Sequence, residues 1–179
     1  DLAIGAFGIV NRLVFIVVMI VMGLNQGMQP IAGYNFGAKL YGRVNKVLRL
    51  TIIYATAVTT FGFLVGMLVP DLVVGIFTSD AELTELSVTG LRITVMFFPI
   101  IGFQMVTSNF FQSIGMAGKA IFLSLTRQML ILLPCLLVLP QFFGVAGVWY
   151  SMPVSDLLAS LIALVMLVCQ FRKFRTSPL

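Results

Sequence analysis

The chain has 179 residues, 60% of them hydrophobic and only 9% charged, with a mean hydropathy of +1.10. A soluble domain carries roughly 25% charged residues, so this composition excludes one and points to an integral membrane protein. The absence of histidine excludes a histidine-based triad or zinc site, and the net charge of +5 reads as basic cytoplasmic loops, with no nucleic-acid partner.

Five stretches approach the ~20 apolar residues needed to cross a bilayer as helix. They lie at about 2–24, 51–69, 86–111, 120–140 and 147–169, and are called spans a to e. No short segment of alternating polarity suggests a membrane β-barrel. The predicted fold is an all-α, polytopic transmembrane bundle, with residues 1–179 as one unit lacking a linker or internal repeat.

Span a opens at Asp1 inside a hydrophobic run, with no basic region or cleavage site that would mark a signal peptide. The chain therefore reads as a piece of a longer polypeptide. Lys39, Arg43, Lys46 and Arg49 follow span a without an acid among them. Lys39, Arg43 and Lys46 share a helical face, which predicts a segment lying along the membrane surface before the turn into span b. Gly62 and Gly66 form a GxxxG in span b and predict close helix packing.

Pro70 closes span b, and the next loop holds Asp71, Asp80, Glu82 and Glu85 without a base. Ser79 and Glu82 have capping-box spacing and predict the start of span c. Pro99 lacks an N–H and should kink span c, as Pro134 and Pro153 should kink spans d and e. Lys119 lies between spans c and d, the stretch from Gln141 to Ala146 is uncharged, and Arg172, Lys173 and Arg175 follow span e. Basic loops alternate with acidic or neutral ones, which sets the N-terminus of the chain outside and its C-terminus in the cytoplasm. Cys135 and Cys169 stand alone in apolar runs and suggest neither metal ligation nor a disulfide.

An ionisable group inside the membrane is costly and calls for a reason. Four lie there: Arg12, Arg92, Arg127 and Asp156. Arg92 and Arg127 lie roughly 10 Å from the nearer span end, within reach of the interface for a long snorkelling side chain. Asp156 lies roughly 14 Å into span e, near the midplane, and is too short to snorkel. It must be protonated, bound to a cation or paired. Arg12 is at nearly the same depth in span a and is the expected ion-pair partner. Asp156 is thus either a cation-coupling residue or half of a permanent structural pair.

Gln104, Ser108 and Gln112 recur every four residues on span c and make a polar stripe, with Asn109 beside it. Interleaved phenylalanines make this a candidate wall for an organic cation, through stacking and cation–π contact, and Gln128 of span d joins the candidates. The alternative is interhelical hydrogen bonding with ordinary lipid-facing Phe.

The run from Gln26 to Ala38, QGMQPIAGYNFGA, resembles the cytoplasmic end of a helix in the multidrug and toxic compound extrusion (MATE) family. Phe77-Thr78-Ser79-Asp80 looks like that family's outer loop. The stretch Gln112 to Ala120, followed by Ser124, Leu125, Arg127 and Gln128, is similar to its next cytoplasmic connection. Gly144 to Trp149, then Pro153 and Asp156, resembles the entry to its last helix. The order and spacing of all four match, over nearly the whole chain.

The resemblance implies the last five of twelve helices, in the C-terminal lobe of a two-lobe transporter, with the N-terminal lobe as partner. It implies export of organic cations and drugs from a bacterial inner membrane in exchange for protons or sodium ions, with no other cofactor and no enzymatic activity. Many family members hold coupling carboxylates in the N-terminal lobe and the seventh helix, and some hold acids in helices eight and ten. Spans a and c have no deep acid here, which leaves Asp156. The expected function is secondary active efflux by alternating access. A lipid-linked oligosaccharide flippase of the same superfamily, with arginines for pyrophosphate, is one alternative, and a non-transporting membrane assembly subunit is another.

Overall fold

The computed structural model describes residues 2–176, with side chains through Arg172, so the side chains of Lys173 and Arg175 lie outside the described residues. The elements are α1 (Leu2–Gly37), α2 (Tyr41–Leu68), α3 (Pro70–Gly75), α4 (Ala81–Val95), α5 (Phe98–Ser113), α6 (Ala117–Leu125), a π-helical stretch at Thr126–Leu132, α7 (Leu133–Phe143) and α8 (Val145–Thr176). There is no strand among the described residues. Four continuous helical rods are long and apolar enough to cross a membrane: Leu2–Gly37, Tyr41–Leu68, Ala117–Phe143 and Val145–Arg172. The bent pair α4–α5 makes a fifth crossing when taken as one span.

The apolar runs correspond to these spans, but the helices outlast them. Span a continues to Gly37 through polar residues whose side chains find helical partners. Asn35 Nδ2 donates to Ile31 O at 2.8 Å and Gln29 Nε2 to Asn109 Oδ1 at 3.1 Å. The expected surface segment around Lys39–Lys46 does not lie apart. From Tyr41 it forms the first turns of α2 and runs directly into the span. The uncharged d–e connection shrinks to Gly144, whose φ of 57° reverses the chain between α7 and α8.

Span c breaks where proline predicts. α4 and α5 meet at 54°, with Pro99 in the first turn of α5. Its missing N–H leaves the α4 ladder unbridged, and the chain resumes through Ile100 N–H to Phe97 O at 2.9 Å. The cap of α4 is Asp80, one residue later than the expected Ser79. Its Oδ1 accepts from Leu83 N at 2.9 Å, while Thr78 Oγ1 accepts from Asp80 N at 3.2 Å. Asp80 reaches the third amide and also places charge at the helix's positive end, so it takes the cap.

Packing forms two cores along the bundle. One gathers Met28, Leu48, Phe110, Phe111, Leu123 and Leu167 at the end bearing the basic loops. The other gathers Ile9, Val10, Val74, Leu91, Phe98 and Trp149 at the acidic end. Met105 packs against both. Close approach depends on absent side chains. A Cβ on Gly62 would stand 2.9 Å from Val17, and one on Gly102 2.7 Å from Thr59 Oγ1. The GxxxG of α2 is therefore a seat for α1 and for Val95 of α4.

Candidate functional site

Between the two cores lies a cavity of about 220 Å³, open on one side. Its polar lining comes from Asn11 of α1, Thr59 of α2, Thr94 of α4, Arg127 and Gln128 of the π stretch, and Ser155 and Asp156 of α8. Val14, Phe98, Ile101, Met105 and Met152 supply apolar wall. A mostly apolar chamber, with aromatic and thioether surface and several polar groups, suits a small amphipathic guest.

Asp156 is 7% exposed. Its partner is Arg127, not Arg12. Arg127 Nε donates to Asp156 Oδ1 at 2.8 Å, and a terminal guanidinium nitrogen lies 2.8 Å from the same oxygen. Both contacts converge on Oδ1, and Oδ2 has no hydrogen bond from the described protein atoms. The Arg127 side chain is 33% exposed, so the charge that pairs with the buried carboxylate also faces the cavity.

The expected partner, Arg12, is exposed on α1, and its neighbour Asn11 lines the cavity instead. The difference has a geometric origin. The rod Ala117–Phe143 begins three residues before the apolar run, which sets Arg127 roughly 15 Å from the rod's start rather than 10 Å. At that depth an inward carboxylate competes with the distant interface. Arg127 turns inward rather than snorkelling.

The backbone here is unusual. Thr126–Leu132 is π-helical, with Leu133 N–H bonded to Gln128 O, five residues back. Pro134 comes immediately after and offers no N–H to the turn before it. Such wide turns are rare and concentrate at functional sites. Ser155 Oγ donates to the Arg127 carbonyl at 2.9 Å, so α8 holds Arg127 by both backbone and side chain.

The polar stripe of α5 divides. Of the five expected cavity residues, Gln128 lines the chamber, and Gln104, Ser108, Asn109 and Gln112 do not. Gln104 is buried. Ser108 meets Ser124 Oγ at 3.3 Å, Asn109 donates to Met105 O at 2.9 Å and accepts from Gln29, and Gln112 is exposed. Asn109 ties α5 to α1 and Ser108 ties it to α6, as the hydrogen-bonding alternative has it for these two. Sequence reasoning weighed the ionisable groups and missed Asn11, Thr59 and Thr94. Asn11, a polar residue in a long apolar run, was the available signal. Among the described residues, no group of three His, Cys, Asp or Glu side chains is placed to hold a metal ion.

Residues 1–137 match the MatE family. The multidrug export protein MepA of Staphylococcus aureus is 27% identical over 164 residues, covering 92% of this chain and 36% of that protein. MepA of Staphylococcus saprophyticus is 24% identical over the same length. Among solved structures, the MATE multidrug transporter DinF-BH, in a ligand complex, superposes with a TM-score of 0.86 at 37% identity, over 96% of this chain and 38% of that one. The Vibrio cholerae MATE transporter VcmN in its bent form superposes with a TM-score of 0.87 at 20% identity, over 97% of this chain and 40% of that one. The chain thus spans about a third of the length of the curated relatives it matches. With the family match over most of its length and five apolar crossings in the same arrangement, this chain belongs to the MatE family of multi-pass membrane transporters.

Proposed function

We propose that the chain is the last five helices of the C-terminal lobe of a multidrug exporter that works by alternating access, and that Asp156 is its cation-exchanging group. The observation that carries this reading is the Arg127–Asp156 pair on the cavity wall, with Oδ2 unclaimed. An amphipathic cation entering the chamber competes with Arg127 for Asp156. A proton on Asp156 removes the attraction for both. Differential affinity of the two lobe arrangements for the proton then drives the swing. An N-terminal lobe would complete the chamber.

A proton suits this site better than sodium. Sodium needs several oxygen ligands, and among the described residues Asp156 is the only carboxylate lining the chamber, with a guanidinium already beside it. A flippase handling pyrophosphate would want several arginines in the cavity; among the described residues one lines it, and that one is paired. The orientation rests on loop charge. Lys39, Arg43, Lys46 and Lys119 cluster at the end of the first core, and Asp71, Asp80 and Glu82 at the end of the second, so the former end is cytoplasmic.

The test is efflux of ethidium, a fluorescent organic cation, from proteoliposomes holding the full-length protein, driven by a pH gradient or by a sodium gradient. A pH-driven efflux lost in Asp156→Asn and partly kept in Asp156→Glu is the expected result. Full activity of Asp156→Asn under the pH gradient would overturn the role of Asp156. Efflux under sodium alone would overturn proton coupling.

A further inference from the structure

Three buried serines lie on α8, and they spend their hydroxyls differently. Ser151 Oγ donates to Gly147 O and Ser160 Oγ to Asp156 O, each at 2.7 Å within their own helix. That back-bonding to the fourth preceding carbonyl is the usual resort of a helical serine. Ser155 instead reaches across to the Arg127 carbonyl, inside the π-helical turn. Ser155 is 1% exposed. The next residue, Asp156, takes the Arg127 guanidinium. Two adjacent residues of α8 therefore hold one residue of the neighbouring span by its carbonyl and by its side chain. At the start of the wide turn, the Thr126 hydroxyl is buried without a partner.

We propose that Ser155 is a positioning residue: its bond to the Arg127 carbonyl keeps the turn wide, and the wide turn sets the face on which Arg127 and Gln128 meet the cavity. A turn of α-helix holds 3.6 residues, so removing the extra residue rotates the helix before it by about 100° relative to the helix after it. Closure to α-helix carries Gln128 off the cavity wall and draws Arg127 away from Asp156. The link to transport rests on the proposed role of Asp156. The geometry of the turn stands without it.

The experiment reads the turn directly. In full-length protein free of other cysteines, Gln128→Cys is labelled from water with a charged thiol reagent in native membranes. Ser155→Thr keeps the hydroxyl, and Ser155→Val has nearly the same shape as that threonine without it. Labelling at the parent rate in Ser155→Thr and about fivefold slower in Ser155→Val is expected, the change that losing one hydrogen bond of about 1 kcal/mol produces. Ser155→Ala, which shortens the residue instead of reshaping it, must slow labelling in the same direction. Equal rates in the Thr and Val variants, or an unchanged rate in Ser155→Ala, would overturn the proposal. Slowed labelling with unchanged ethidium efflux supports the positioning role and refutes the transport role of Asp156.

Discussion

The indole of Trp149 lies across Gly90, so close that a Cβ on that glycine would stand 2.6 Å from the ring. Trp149 lies in the first turns of α8 and Gly90 in α4, so this contact joins the two helices at the acidic end of the bundle. Trp149 also stacks at a tilt on Phe7, with ring centroids 5.7 Å apart. A methyl group at position 90 must push a rigid ring, not a flexible side-chain tip. Gly90→Ala is expected to destabilise the detergent-solubilised full-length protein by about 1–3 kcal/mol, the usual cost of overpacking. Gly8→Ala, with open space around it, is the control and should be neutral or slightly stabilising. Thermal melts of the two variants side by side check this.

Removing one member of the Arg127–Asp156 pair should cost more than removing both. Arg127→Gln leaves Asp156 buried and alone, whereas Asp156→Asn leaves a guanidinium that is one-third exposed to the cavity. Breaking a buried pair costs about 3–5 kcal/mol. Arg127→Gln is expected near that range and Asp156→Asn below it. The double variant should recover most of the loss while staying inactive in efflux. A double-mutant cycle on unfolding, run beside the efflux assay, separates the two effects.

Arg12 supplies the contrasting case. It is exposed on α1, away from the Arg127–Asp156 pair. Arg12→Gln should leave stability within about 0.5 kcal/mol of the parent, as surface changes do. It should also leave the Asp156→Asn phenotype unchanged when the two are combined. Coupling between positions 12 and 156 in that combination would restore the pairing expected from depth alone.

The cap of α4 makes a one-residue prediction. Asp80→Ala removes the acceptor of the Leu83 amide and should cost about 1 kcal/mol. Ser79→Ala should cost a few tenths at most, since no cap bond runs to its side chain. Amide exchange at Leu83 and Thr84 will accelerate in the first variant only.

Hydropathy reads what touches hydrocarbon, which is why five spans are legible in the sequence and their ends are not. Asn25, Gln29 and Asn35 look like loop residues to a hydropathy window, yet all three are helical, and Gln29 and Asn35 find acceptors on a neighbouring helix and on the backbone. Pro99 is readable because a missing N–H acts locally. Asp156 is readable as a residue in need of a partner, because depth and side-chain length are one-dimensional facts. The identity of that partner is not, since it depends on helix rotation. Arg127 reaches Asp156 through a turn with one residue too many, and no periodicity in Thr126–Leu132 announces it. The polar spacing on α5 is visible in the sequence; which neighbour it faces is a property of the bundle.

Met105 is where the two cores meet, and it also borders the cavity. Its side chain is unbranched and polarisable, with no directional demand and several rotamers of similar energy. A branched or aromatic residue there would lock the halves in register. A thioether acts more like a soft washer: the basic and acidic ends can tilt against each other by small amounts while the joint repacks instead of opening a void. The stiffness of the bundle then resides in its long helical rods and in the hold of α8 on Arg127, and the middle is left compliant where a guest would have to fit.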